Sequence, residues 1–158
     1  MKLNTSKIIT ACALILATNV AVANTATSEK HAVKATELRQ AVFKMLGANM
    51  GTLGAMAKGK IPFDAKVVEK NATRINQLSF MIADYTATDT SAYKVKTEAL
   101  NKVWTDRDAF EKRIKDLSVA SEKLVKAAST GDEASTRAAI GGVGKTCGGC
   151  HDNFKQED

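Results

Sequence analysis

The chain has few of the residues that punctuate or staple a fold. It carries one proline, three cysteines and two histidines in 158 residues. Runs of β-branched residues are few as well, which argues against a protein built on sheets. The formal net charge of +6 comes without any clustered basic run. The excess therefore reads as a solvated surface, and no nucleic-acid partner is expected. No internal repeat exists beyond helix periodicity, and nothing marks a second domain.

The longest apolar stretch lies at the start. Lys2 and Lys7 precede a mostly apolar run over 8–22, which is short for a bilayer span. Small residues at Ala21-Val22-Ala23 match a cleavage site after Ala23. Residues 1–23 are thus expected to be a secretory signal, and 24–158 one mature domain with no membrane anchor. Cys12 sits too early in the apolar run for a lipid-attachment site. Losing two lysines and no acids lowers the charge from +6 to +4. Cys12 leaves with the signal, and the remaining pair, Cys147 and Cys150, has no third cysteine to bridge.

The mature apolar residues recur at three and four, so helices are expected throughout. A first helix spans about 28–58, with Leu38, Val42, Met45, Leu46, Leu53 and Met56 on one stripe and Asn49 interrupting it. Gly59 and Pro62 end it. A second starts from the N-cap Asp64 and runs to about 84, its stripe Val67, Val68, Ile75, Leu78 and Ile82, with Asn71 as its polar interruption. Residues 86–91 read as a polar loop, with a short helical turn near Trp104. A third helix begins around 105–108 and buries Phe110, Ile114, Leu117, Leu124 and Ala128. Residues 130–132 break it and cap a fourth. The expected fold is all-α, an antiparallel four-helix bundle with a cofactor in its core.

The fourth helix carries the chemistry. Cys147, Gly148, Gly149, Cys150 and His151 spell C-x-x-C-H, the attachment pattern for c-type haem. Two thiols at this spacing add to the two vinyl groups of one porphyrin, and the adjacent imidazole is placed to bind the iron. A redox dithiol would sit beside a βαβ pattern, which is absent. A zinc site would need more ligands, and His31 lies far away near the mature N-terminus. His31 itself reads as exposed. Five glycines in the last helix cost roughly 1 kcal/mol each against alanine, so packing must offset a weak intrinsic propensity. Export agrees with this reading, because c-type haem is attached outside the bacterial cytoplasm. The expected location is periplasmic.

Further landmarks run in order along the chain: Leu38-Arg39-Gln40, the stretch 47–59 ending Met56-Ala57-Lys58-Gly59, Pro62-Phe63-Asp64, and Trp104-Thr105-Asp106. With the C-terminal motif, the chain resembles the cytochromes c′. The resemblance covers nearly all of the mature chain. It implies a four-helix bundle, commonly a homodimer, with one covalently bound haem c whose iron is high-spin and five-coordinate. It also implies binding of nitric oxide and carbon monoxide, and for some members electron transfer with a redox partner protein or protection against nitric oxide. Carried over by position, Cys147 and Cys150 match the thioether cysteines and His151 the axial iron ligand. Arg39 and Gln40 match positions at the haem edge, where Arg39 has the planar donor fork that pairs with a propionate; an ordinary surface arginine is the plainer alternative. Phe43 matches the residue covering the distal face, and is otherwise a core aromatic. Thr97 and Glu98 match a stretch approaching the haem, and Lys155 a basic residue on the proximal side. The chain departs from the pattern in a longer loop before Trp104, and in Asn101 where a proline is common.

A phenylalanine lid has no lone pair for iron and no hydrogen-bond donor. It favours nearly neutral diatomics over anions, since a charge in low dielectric is costly. The rival is a low-spin electron-transfer cytochrome with a methionine sixth ligand, for which Met45, Met50 and Met81 are the options; methionines at helical spacing are more often core filler. An enzyme is not expected, because a peroxidase would want a polar distal acid or base, and only Arg39 lies near.

Overall fold

A computed structural model of the chain describes residues 24–157. The expected signal segment 1–23, with Cys12 and the cleavage site, lies outside the described residues, as does Asp158. The elements in order are β1 (Asn24–Thr25), α1 (Glu29–Ala57), α2 (Ala65–Tyr85), β2 (Thr88–Asp89), α3 (Lys102–Thr105), α4 (Arg107–Ser129) and α5 (Glu133–Phe154).

The ends of the helices follow from side chains able to satisfy the unpaired terminal amides. Ser28 accepts from the His31 amide at 3.2 Å. Asp64 accepts from the Lys66 and Val67 amides at 2.9 and 3.1 Å, and Asp132 accepts from the Ser135 amide at 2.7 Å. At the far end of α1, Gly59 adopts φ +66°, the left-handed conformation that suits glycine. The Lys60 amide then reaches the Ala55 carbonyl and the Gly59 amide reaches Met56, a Schellman closure. Gly131, φ +73°, turns the chain between α4 and α5.

The four long helices form a ring in which α2 packs on α1 and α4, and α4 on α5. The seam between α1 and α5 is the thinnest. Leu53 and Met56 from α1 meet Val68, Ile75 and Ile82 of α2, Leu117 and Leu124 of α4, and Ile140 and Val143 of α5 in one core. Phe110 and Phe154 stack edge to face, 5.1 Å between centroids, and tie the start of α4 to the end of α5. The stripe interruptions have a simple cause. Asn49 and Asn71 donate to the carbonyls one turn back, of Met45 and Val67, at 2.8 and 3.0 Å.

Three expectations of the first helix change. Leu38, Met45 and Phe43 are 43%, 45% and 39% exposed, so none belongs to the closed core. Leu38 and Met45 lie seven residues apart on the outer edge of the stripe. Phe43 lies on the side of α1 that also carries Arg39 and Met50, at the thin seam. The loop over 86–91 is also not simply a solvated connection. Thr86 and Thr90 are each 1% exposed, and β2 pairs in parallel with β1, Asn24 opposite Thr88 and Thr25 opposite Asp89. Two-residue strands carry no periodicity, which is why the sequence reading has no strand here.

Candidate functional site

Cys147, Cys150 and His151 occupy successive turns of α5 at i, i+3 and i+4, so they share one face of the helix. Both cysteines are half-buried against the core, and His151 is exposed. Burial pushes both thiols up, Cys150 to about 11, the Arg113 cation opposing the rise and Cys147 adding to it. Thiols held neutral in this way are poor nucleophiles at neutral pH. No cluster of metal-ligating side chains exists among the described residues.

The helix facing this motif is α1. Arg137 donates to the Met56 carbonyl, and a carbon added at Gly144 would lie 3.7 Å from Met50 Cε. The two helices are therefore antiparallel, with Met56 level with Arg137 and Met50 level with Gly144. About two turns further along each helix, Phe43 comes level with His151, and Arg39 with the end of α5.

That end is where the other expected residues gather. Ala99 bridges Lys155 in antiparallel pairing. The Leu100 amide donates to the Phe154 carbonyl at 3.0 Å and the Gln156 amide to the Glu98 carbonyl at 2.7 Å. Lys155 Nζ sits 3.3 Å from Glu98 Oε2. From α1, Gln40 Nε2 donates to the Lys96 carbonyl at 2.9 Å, and Arg39 Nη2 donates to Thr97 Oγ1 at 3.3 Å. Arg39, Gln40, Thr97, Glu98 and Lys155 thus lie around one segment beside the C-x-x-C-H helix, although they are spread over most of the chain.

Arg39 is not an ordinary surface arginine. It is 2% exposed. Burial lowers its guanidinium from the usual value and Asp89 opposes the shift, but a guanidinium remains a cation throughout. Its Cζ lies over the Trp104 ring, 5.1 Å from the centroid. Nη2 also reaches Thr36 and Thr90 hydroxyls at 3.3 and 3.4 Å. Nη1 has no partner among the described residues, and it is the one buried side-chain nitrogen or oxygen of which this is true. An unpaired donor on a buried cation is costly, so the position calls for an anionic or carbonyl acceptor. Thr90 and the Trp104 stack escaped the sequence reading as parts of the site. A threonine in a polar loop carries no periodic signal, and Trp104 stands out only as a landmark.

The cytochrome c′ family model matches residues 34–155. The chain belongs to the cytochrome c′ family. It is 40% identical over 124 residues to cytochrome c′ of Rubrivivax gelatinosus, covering 78% of this chain and 95% of that protein. Among solved structures, cytochrome c prime from Shewanella frigidimarina superposes with a TM-score of 0.74 at 35% identity, covering 80% of this chain and 97% of the other. A nitric oxide complex of a cytochrome c prime variant from Alcaligenes xylosoxidans gives 0.70 at 27% identity, covering 83% and 98%. These relatives share the four-helix bundle. The family implies c-type haem and is known for binding nitric oxide and carbon monoxide.

The residues present fit that group on their own chemistry. Two neutral thiols and an accessible imidazole occupy one helical face, an accessible aromatic lies level with them across the thinnest seam, and a buried cation nearby has a donor to spare. In this chain Cys147, Cys150 and His151 would hold the haem from α5, and Arg39 would meet one of its carboxylates.

Proposed function

We propose that the chain is a periplasmic cytochrome c′ that binds nitric oxide and carbon monoxide at an apolar site and serves to sequester nitric oxide. Bound haem supplies an iron that exchanges one electron and coordinates diatomic ligands. The chain's residues do the rest. Cys147 and Cys150 would hold the haem through thioethers to its vinyl groups, and His151 would offer its imidazole lone pair to the iron.

The observation that carries the proposal is the residue level with His151 on the facing helix. Phe43 has no lone pair to fill a sixth position and no donor to hold an anion. Met50 lies level with Gly144, seven residues and about 10 Å along α5 from His151. Met45 sits on the outer edge of α1, 45% exposed. Both placements count against Met45 and Met50 as a sixth ligand, and Met81 lies on α2, which packs on α1 and α4 and stands diagonal to α5 in the ring; together these favour a five-coordinate metal over the His/Met electron-transfer alternative. Arg39, the one polar group that sequence alone offers a peroxidase, is held by three hydroxyls and Trp104, and this favours a role other than catalysis. No described helix is long and apolar enough to cross a membrane.

If Phe43 must move for a ligand to enter, Phe43→Ala should raise the carbon monoxide association rate of the ferrous protein by tenfold or more, since each 1.36 kcal/mol off a barrier is tenfold. Flash photolysis or stopped-flow mixing reads this directly. An unchanged rate would remove Phe43 from the ligand's path.

A further inference from the structure

We propose that Thr90, fixed by the pairing of β1 with β2, is a positioning residue that orients the Arg39 guanidinium so that Nη1 faces a carboxylate of the porphyrin. The inference rests on the haem reading above and adds Thr90 and the β1–β2 pairing, which that reading does not use.

The guanidinium is gripped on one edge only. Nη2 has two hydrogens and three hydroxyl neighbours, from Thr36, Thr90 and Thr97 at 3.3, 3.4 and 3.3 Å. The Trp104 ring lies 5.1 Å from Cζ, and Nη1 is left without a partner. The three hydroxyls are not equivalent. Thr36 rides on the same helix one turn away and cannot fix Arg39 relative to anything else. The Thr97 oxygen already accepts from the Ala99 amide at 3.1 Å. Thr90 comes from a separate piece of chain, is 1% exposed, and aims its oxygen at Nη2.

What fixes Thr90 is the segment just after the expected cleavage site. Asn24 and Thr25 pair with Thr88 and Asp89, and the Ala26 amide donates to the Asp89 carbonyl at 2.8 Å. Ala26 is 4% exposed. Once 1–23 is removed, as proposed above, these residues form an N-terminus, which ordinarily frays unless tied down. Here they are tied to the strand that delivers both the Thr90 hydroxyl and Asp89, the carboxylate whose charge favours the buried cation. The strap therefore brings a hydroxyl and a countercharge to one guanidinium.

The test is the midpoint potential of the holoprotein. Arg39→Gln should lower it, because losing a cation beside the porphyrin favours the ferric form. Thr90→Val keeps the shape and loses the hydroxyl; it should lower the potential by a smaller shift, and Thr90→Ser should restore it. In the Arg39→Gln background Thr90→Val should add nothing. Ala26→Pro removes the strap's donor without touching the guanidinium; it should shift the potential too, by an amount that differs from the Thr90→Val shift as far as Asp89 moves with the strap, and it serves if that variant does not accumulate. A Thr90→Val shift of equal size with and without Arg39 overturns the proposal. So does no shift from Thr90→Val or Ala26→Pro while Arg39→Gln still moves the potential. If Arg39→Gln itself leaves the potential unmoved, the haem-edge reading of Arg39 fails, and the positioning role falls with it.

Discussion

Arg39 and Cys150 show how burial turns ordinary residues into specific ones. A guanidinium 2% exposed cannot shed its charge, so the fold surrounds it with hydroxyls and an indole and leaves one nitrogen to bind something else. A thiol can stay neutral, and Cys150 does: burial holds it up at about 11. The sign of the resulting pH dependence follows from linkage. In the haem-free chain the unfolded thiol ionises near its ordinary value of 9.0, while the folded one keeps its proton to about 11. The unfolded state therefore binds fewer protons across that window. The stability contributed by the neutral thiol is whole below the unfolded value and is lost as pH rises through the folded one. Alkylation of haem-free protein by iodoacetamide, followed by mass spectrometry, should be slow at pH 8 and accelerate toward pH 11. Modification at pH 8 as fast as in a denatured control would show that the thiol is not desolvated.

Among the elements, α5 is the one least able to stand alone. Gly141, Gly142, Gly144, Gly148 and Gly149 lie within it, each costing about 1 kcal/mol against alanine, and its seam with α1 is the thinnest in the bundle. Pulsed hydrogen exchange on haem-free protein should show the amides of 141–151 exchanging well before those of α2 and α4; equal protection would mean that α5 needs no help from the haem. This is also the scale at which the sequence speaks most clearly. Ser28, Asp64 and Asp132 announce helix starts by side-chain chemistry, and Gly59 and Gly131 announce ends because glycine alone adopts a left-handed φ at little cost, so the four long helices were legible. The β1–β2 pair was not, because two residues cannot display a period and their partners lie far apart in the chain. The C-x-x-C-H motif was legible as local spacing. Thr90 was not, because its role depends on a strap that only the folded chain assembles.

At the scale of the whole molecule, the bundle leaves an apolar edge open. Leu38 and Met45, seven residues apart on α1, are 43% and 45% exposed, beyond what the core requires of them. We propose that a second copy covers this edge in a homodimer. Sedimentation velocity should report a dimer for the native chain and a monomer for Leu38→Glu/Met45→Lys; a double variant that sediments as the native chain would move the contact elsewhere. The central claim, however, concerns the metal. It holds that His151 ligates from α5 and that no second side chain does so from α1. Absorption and electron paramagnetic resonance spectra of the purified ferric holoprotein at neutral pH test this most directly. The account predicts a high-spin signal with no sulfur-to-iron charge-transfer band in the far red. A low-spin spectrum carrying that band would put a methionine on the iron and contradict it.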